Sequence, residues 1–174
     1  MAIAGIPEII NDFNMYLSGN RLVGMTGEVT LPDMEAITET ISGPGILGEY
    51  ESGSPGRFGS MEQEVPFRLF SSDALKLIDP TNPVELTLRG SQQYTVQATG
   101  ALDEQGMRVV FRGRCKKIVP GTVKQGGPMD SSITLELTYY MVEIDSKKVI
   151  ELDKLNSVYI VNGVDLLAKI RRFC

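Results

Sequence analysis

Carboxylates two residues apart are the side chains whose type and spacing come nearest to chemistry. Glu62 with Glu64, and Glu151 with Asp153, each place two oxygen ligands close enough to share a divalent cation. Two carboxylates alone also describe the solvated face of a strand, and nothing beside either pair completes a ligand set. The chain has no histidine, which removes Ser-His-Asp and Cys-His nucleophiles and every histidine-containing metal site. The two cysteines, Cys115 and Cys174, are too few for a structural zinc site, and one in an expected strand with the other at the last residue reads more simply as a pair of reduced thiols of a cytoplasmic origin than as a disulfide. The glycine-rich stretches Gly53–Arg57 and Gly126–Pro128 lack the Gly-Lys-Ser/Thr ending of a phosphate loop and do not open a helix. They read as turns and loops. The residues therefore carry no positive signal for an enzyme and none for a cofactor or a metal.

The elements that would position such residues read as strands. A chain of 174 residues suits one domain over 1–174, and its 18 glycines and 9 prolines punctuate many short connections. Hydrophobic residues make up 42% and charged residues 22%, the balance of a globular protein. The net charge of −5 disfavours a specific grip on phosphate. The opening stretch Met1–Phe13 is mildly apolar, but Pro7, Glu8 and Asp12 interrupt it and it has no basic start, so it does not read as a signal peptide. No apolar run approaches the length of a membrane span.

The spacing predicts a hairpin of Asn14–Ser18 and Arg21–Thr30 around Gly19-Asn20, closed by Leu31-Pro32, then an extended piece over Ala36–Ser42. Gly43–Gly59 follows with six glycines and two prolines, and reads as a long loop. It also holds Ile46, Leu47, Tyr50 and Phe58, which a plain linker does not need, so it is a candidate contact with a neighbouring copy. A strand over Ser60–Phe70 leads to a short helix at Ala74–Ile78, capped by Ser71-Ser72-Asp73 and stopped by Asp79-Pro80.

Val84–Ala101 reads as a long strand, Asp103–Gly106 as a turn, and Met107–Val119 as a second long strand. Alternation puts Val109, Phe111, Gly113 and Cys115 on one face, with Arg108, Val110, Arg112, Arg114 and Lys116 on the other. A loop over Pro120–Asp130 precedes Ser131–Asp145, where Ile133, Leu135, Leu137, Tyr139 and Met141 share one face and Thr134, Glu136, Thr138 and Tyr140 the opposite one. Val149–Asp153, a last strand at Val158–Val161, a turn at Asn162-Gly163 and a terminal helix over Val164–Ile170 complete the chain. The fold class is mainly β: an antiparallel sandwich or partly open barrel with one short internal helix. Long strands with open edges invite edge-to-edge pairing, a liability that a polymerising protein turns to use.

Several ordered patches carry a resemblance: Thr30-Leu31-Pro32, Arg112-Gly113-Arg114, Lys124-Gln125-Gly126, Thr138-Tyr139-Tyr140, Lys148–Asp153, Asn156, Val161–Asp165 and Arg171-Arg172. In them the chain resembles the major tail tube proteins of P2-type contractile-tailed phages and related tail-derived bacteriocins. The resemblance implies a structural protein that forms hexameric rings, stacked into a hollow tube that carries DNA or ions through a contractile tail. It implies as partners other copies of the chain, the sheath protein, the tape measure protein, the baseplate and the tube terminator, with DNA passing without specific binding and no membrane anchor. Its location would be the virion tail or a tail-like particle, assembled in the bacterial cytoplasm. A headless bacteriocin or injection particle is the alternative of the same kind, and a monomeric β-barrel binding domain the alternative of another kind.

Four strands per copy at about 4.8 Å spacing give six copies a circumference of roughly 115 Å before tilt. The backbone diameter is then around 40 Å, wide enough for a duplex. Candidate contacts are Ile46, Leu47, Tyr50 and Phe58 in the first loop and Lys124 and Gln125 in the second. Arg112, Arg114 and Lys116 could form ion pairs between copies, and Arg171 and Arg172 could meet the sheath.

Overall fold

The computed structural model describes residues 5–174; the first four residues of the opening stretch lie outside it. Antiparallel pairing dominates. One sheet runs in the order β11-β10-β9-β8-β7-β6-β1-β2, with β5 added to β8, and β3 and β4 form a separate two-stranded sheet. The strands are β1 (Gly5–Leu17), β2 (Asn20–Arg21), β3 (Ala36–Ser42), β4 (Glu49–Phe58), β5 (Glu62–Phe67), β6 (Val84–Val96), β7 (Leu102–Val119), β8 (Ser131–Ile144), β9 (Lys147–Asp153), β10 (Val158–Val161) and β11 (Val164–Asp165). The helices are α1 (Ser72–Leu75) and α2 (Ala168–Phe173). The sheet does not close into a barrel: β8 carries β5 along its first half and β9 along its second.

Three two-residue turns set the register. Ser18-Gly19, Asp145-Ser146 and Asn162-Gly163 all have positive φ at both positions, the geometry whose twist matches that of the flanking strands. The first of these turns lies one residue earlier than Gly19-Asn20. The expected strand Arg21–Thr30 shortens to two residues because Gly24 (φ 87°) breaks it. Its backbone instead pairs loosely with the end of β5, where Arg68 N–H donates to the Gly24 carbonyl and Thr26 N–H to that of Pro66. Gln63, fully buried on β5, holds the next stretch by donating to the Thr30 carbonyl at 3.0 Å. That bond places Thr30-Leu31-Pro32 against the sheet.

The expected turn at Asp103–Gly106 is part of β7. The true reversal is at Gln97–Gly100, where Thr99 and Gly100 N–H both donate to the Val96 carbonyl and Gly100 adopts φ 69°. β6 and β7 consequently pair without interruption from Val84↔Gly113 to Thr95↔Leu102.

The core lies on one face of this sheet, where Leu86, Leu88, Val109, Phe111, Ile133, Leu135 and Leu137 are all buried. Val65 and Phe67 of β5 and Ala74 and Leu77 of the α1 region close over it. The alternation expected in β7 is observed. In β8 it reverses partway, because the pairing skips Thr138: Gly113 faces Leu137 and Arg112 faces Tyr139. The extra residue is a β-bulge, and past it every side chain changes face. Tyr140 therefore enters the core, where burial pushes its hydroxyl up to about 12, and Tyr139 turns to the outer face. Met141 follows Tyr139, pairing with Val110 opposite the core.

Candidate functional site

The carboxylate pairs do not act as pairs: Glu62, Glu151 and Asp153 are engaged in structural contacts, and Glu64 is exposed. Lys116 bridges Glu62 and Glu136. Glu151 accepts hydrogen bonds from the Tyr139 hydroxyl and from Lys148, both at 2.8 Å. Asp153 accepts from the backbone of Leu155 and Asn156 and from the Asn156 amide, closing the turn after β9. Burial opposes ionisation of Glu151 and Asp153, but these donors outweigh it and hold both below the ordinary carboxylate range. Among the described residues no group of three acids and cysteines is arranged to hold a metal, and both cysteines are free.

The surfaces that could carry function are those a copy of the chain could join. Gly43–Gly59, expected as a loop, is instead the tip and second strand of a hairpin in which Ser42 pairs with Glu49 and Thr38 with Gly53. The glycines earn this: Gly45 and Gly48 adopt φ 88° and 89° at the tip, where a side chain would be strained. All of β3 is exposed, as is most of β4, so the hairpin is an arm standing off the body. Leu47 is fully exposed at its tip, and Ile46 and Tyr50 are exposed beside it. Ile37 and Ile41 on β3 extend this apolar surface; the extended reading of Ala36–Ser42 held the signal, since the two are four residues apart and so share one face of a strand.

Phe58 has a different place. Its ring meets Tyr159 edge to face at 5.2 Å, and with Gly56 against Leu167 and Tyr159 it roots the arm on the body. Gly59 N–H donates to the Glu35 carbonyl and Lys154 donates to the Gly59 carbonyl, fastening the same root.

The cations divide similarly. Arg112 is held within its own chain, 2.8 Å from Glu85 and 4.8 Å above the Tyr139 ring, and its pairing with Glu85 raises its affinity for its proton. Lys116 is held by its two glutamates. Arg114 is exposed and makes no ion pair among the described residues. Arg171 pairs with Asp165 and donates to the Ser157 carbonyl, tying α2 to the last turns, while Arg172 is exposed. Lys124 and Gln125 are exposed at the tip of a loop whose base is fixed by Thr122 N–H donating to Met129 and Met129 N–H donating to Arg68.

One surface was missed in the sequence. β1 begins at Gly5, well before Asn14, and pairs with β6 along one side. On its other side only the stretch from Met15 onward has a partner among the described residues. Ile6, Ile9 and Ile10 are exposed along the free part. The interrupted apolar pattern of this segment, which excludes a signal peptide, is also the pattern of a bulged edge strand; the pairing shifts at Glu8 and at Asn11. β7 has a second open stretch, since Leu102–Gln105 extends past the end of β8, beyond the bond from Asp145 N–H to the Gly106 carbonyl. Two unpaired edges facing opposite ways each present free N–H and C=O groups, which leaves the sheet open to pairing between copies.

Among the described residues no helix is long and apolar enough to cross a membrane. Residues 7–173 match the family described as phage tail tube protein FII. The tail tube protein of Escherichia phage P2 is 30% identical over 172 residues, covering 96% of each chain. The major tail tube protein of Serratia phage KSP20 is 29% identical over 163 residues, covering 92% of this chain and 91% of that one. Among solved structures, a chain titled as the sheath/tube terminator of an extracellular contractile injection system shares the fold with a TM-score of 0.55. It is 12% identical and covers 80% of this chain and 99% of that chain. Tail tube proteins are structural components of the virion tail and not enzymes. Because the match runs through the arm, the long central strands and the terminal helix alike, the chain belongs to the phage tail tube protein FII family.

Proposed function

We propose that the chain, acting as a single tube domain, assembles into hexameric rings that stack into the inner tube of a contractile tail, forming the channel through which DNA passes. The observation that carries this reading is the pair of open strand edges on β1 and β7, which the sheet leaves on opposite sides. Pairing β1 of one copy with the open edge of the next satisfies both sets of backbone groups. Because the two edges differ, the contact is head to tail and closes only as a ring. The apolar arm then serves contacts beyond the ring edge, through Ile46, Leu47 and Tyr50. Arg114, Lys124 and Gln125 are the remaining contact candidates, being exposed. The sheath protein, the tape measure protein, the baseplate and the tube terminator are the partners such a tube requires.

Electron microscopy of the purified chain, nucleated by a baseplate or tail initiator, tests this reading. Uniform hollow tubes are expected. A chain that stays monomeric at high concentration with the initiator present would refute it.

A further inference from the structure

The face of the large sheet opposite the core is crossed by three consecutive rungs of paired residues. The first joins Arg89, Arg108, Glu143 and Lys148. The next joins Tyr16, Thr87, Val110, Met141 and Glu151, and the third joins Glu85, Arg112, Tyr139 and Asp153. Four cations thus meet four carboxylates, and these rungs are neutral although the chain carries a net charge of −5. The acid in excess lies off them, as at Glu39, Glu49 and Glu51 on the arm and Glu8, Asp103 and Glu104 at the far end of the sheet.

The balance is made by contact. Arg112 donates through both Nε and Nη2 to Glu85, at 3.2 and 2.8 Å. Arg108 lies 3.2 Å from Glu143, and Lys148 lies 2.8 Å from Glu151. Arg89 stands over the Tyr16 ring, 5.5 Å from its centroid. Arg89 and Arg108 are directly opposite each other, an arrangement that by itself destabilises a sheet, and Glu143 on the other side of Arg108 offsets it.

We propose that Glu85 and Glu143 mask Arg112 and Arg108, and that this local cancellation, not the acidity of the whole chain, keeps the channel wall from gripping the phosphates of passing DNA. The inference rests on the tube reading. In a ring of six copies this face is the one that suits the channel. The opposite face carries the core and its cover, and a packed layer about 10 Å deep on each side would take up half of a channel of about 40 Å. A free guanidinium takes a phosphate through parallel hydrogen bonds and releases its counterions. On Arg112 the donors that would do so are already given to Glu85. A strongly acidic wall would stay repulsive after losing a carboxylate, whereas a balanced wall changes sign, and six copies per ring repeat the change.

The test compares three chains. Glu85→Gln with Glu143→Gln keeps side-chain size while freeing two guanidinium groups per copy. Glu28→Gln with Asp33→Asn is the control: it removes the same charge from exposed residues flanking the Thr30 carbonyl that buried Gln63 holds. Each chain and the unaltered one are assembled on the initiator with a short DNA duplex present, treated with nuclease and washed at ~50 mM salt. The unmasked tubes should retain at least about tenfold more protected duplex than unaltered or control tubes, and release it at about 200 mM salt. Adding Arg108→Gln and Arg112→Gln should abolish the retention. Titrating the same duplex against the unassembled chains gives a second readout that needs no tubes, with the same order expected. Equal retention and equal binding by all three chains, or as much by the control as by the unmasked variant, overturn the masking and leave the tube reading standing. Absence of tubes from the unaltered chain overturns the tube reading and the channel role with it.

Discussion

Replacing Gly113 by alanine perturbs a single atom at the bulge that sorts Tyr139 from Tyr140. A Cβ built on Gly113 would lie 2.2 Å from the backbone carbonyl oxygen of Glu136 and 2.9 Å from its carbon. Ordinary contact needs more than 3 Å, so one strand must move by about 1 Å at the centre of the sheet. Strain of this kind costs about 1–3 kcal/mol, and the upper end applies because the clashing atom is backbone in a paired strand. For a chain of this size that lowers the melting temperature by about 5–10 °C. Urea unfolding of the unassembled chain provides the assay, with an expected midpoint shift of about 1 M. Gly106→Ala is the control: it also lies in β7, has no atom within 4 Å of its Cβ position and should change stability by less than about 0.5 kcal/mol. Equal stability of the two variants would refute the reasoning. It would mean that the Arg112-Gly113-Arg114 glycine is not required by the close approach of β8.

Phe111→Ala, at the centre of the core, should destabilise the chain by about 3–5 kcal/mol in the same unfolding assay. Phe58→Ala removes the edge-to-face contact with Tyr159 and should speed amide exchange across 36–58 while leaving exchange in β6–β8 unchanged. Glu151 and Asp153 have depressed folded values, so their contribution is fully present above the ordinary carboxylate range and is lost as pH falls through the folded values. Stability should therefore drop as pH falls below about 4.5, and Glu151→Gln should flatten part of that drop; an unchanged slope would contradict it.

How much of this was legible in the sequence follows from the range of each interaction. The β7 face was readable because its alternation is local, and the turn at Asn162-Gly163 announced itself by residue type. The β8 faces were readable only as far as Leu137. The bulge at Thr138 is a property of its pairing with β7, and no local pattern signals it. The arm was misread as a loop because its glycines and Pro55 look like punctuation. They sit in a hairpin exposed on both faces, where no buried face imposes an apolar alternation. Ile46, Leu47 and Tyr50 were still recoverable, as large apolar residues with no reason to be in a linker. Phe58 looked the same in sequence, and only its packing on Tyr159 separates root from tip. The free edge of β1 was hidden because bulges at Glu8 and Asn11 blur the period of two.

Cryo-electron microscopy of the assembled particle tests the central claim most directly. The account predicts six-fold rings stacked about an open axial channel, with β1 of each copy paired to its neighbour's open edge in a sheet that runs around the lumen. A solid filament, or rings in which the β1 edge stays unpaired, would contradict it.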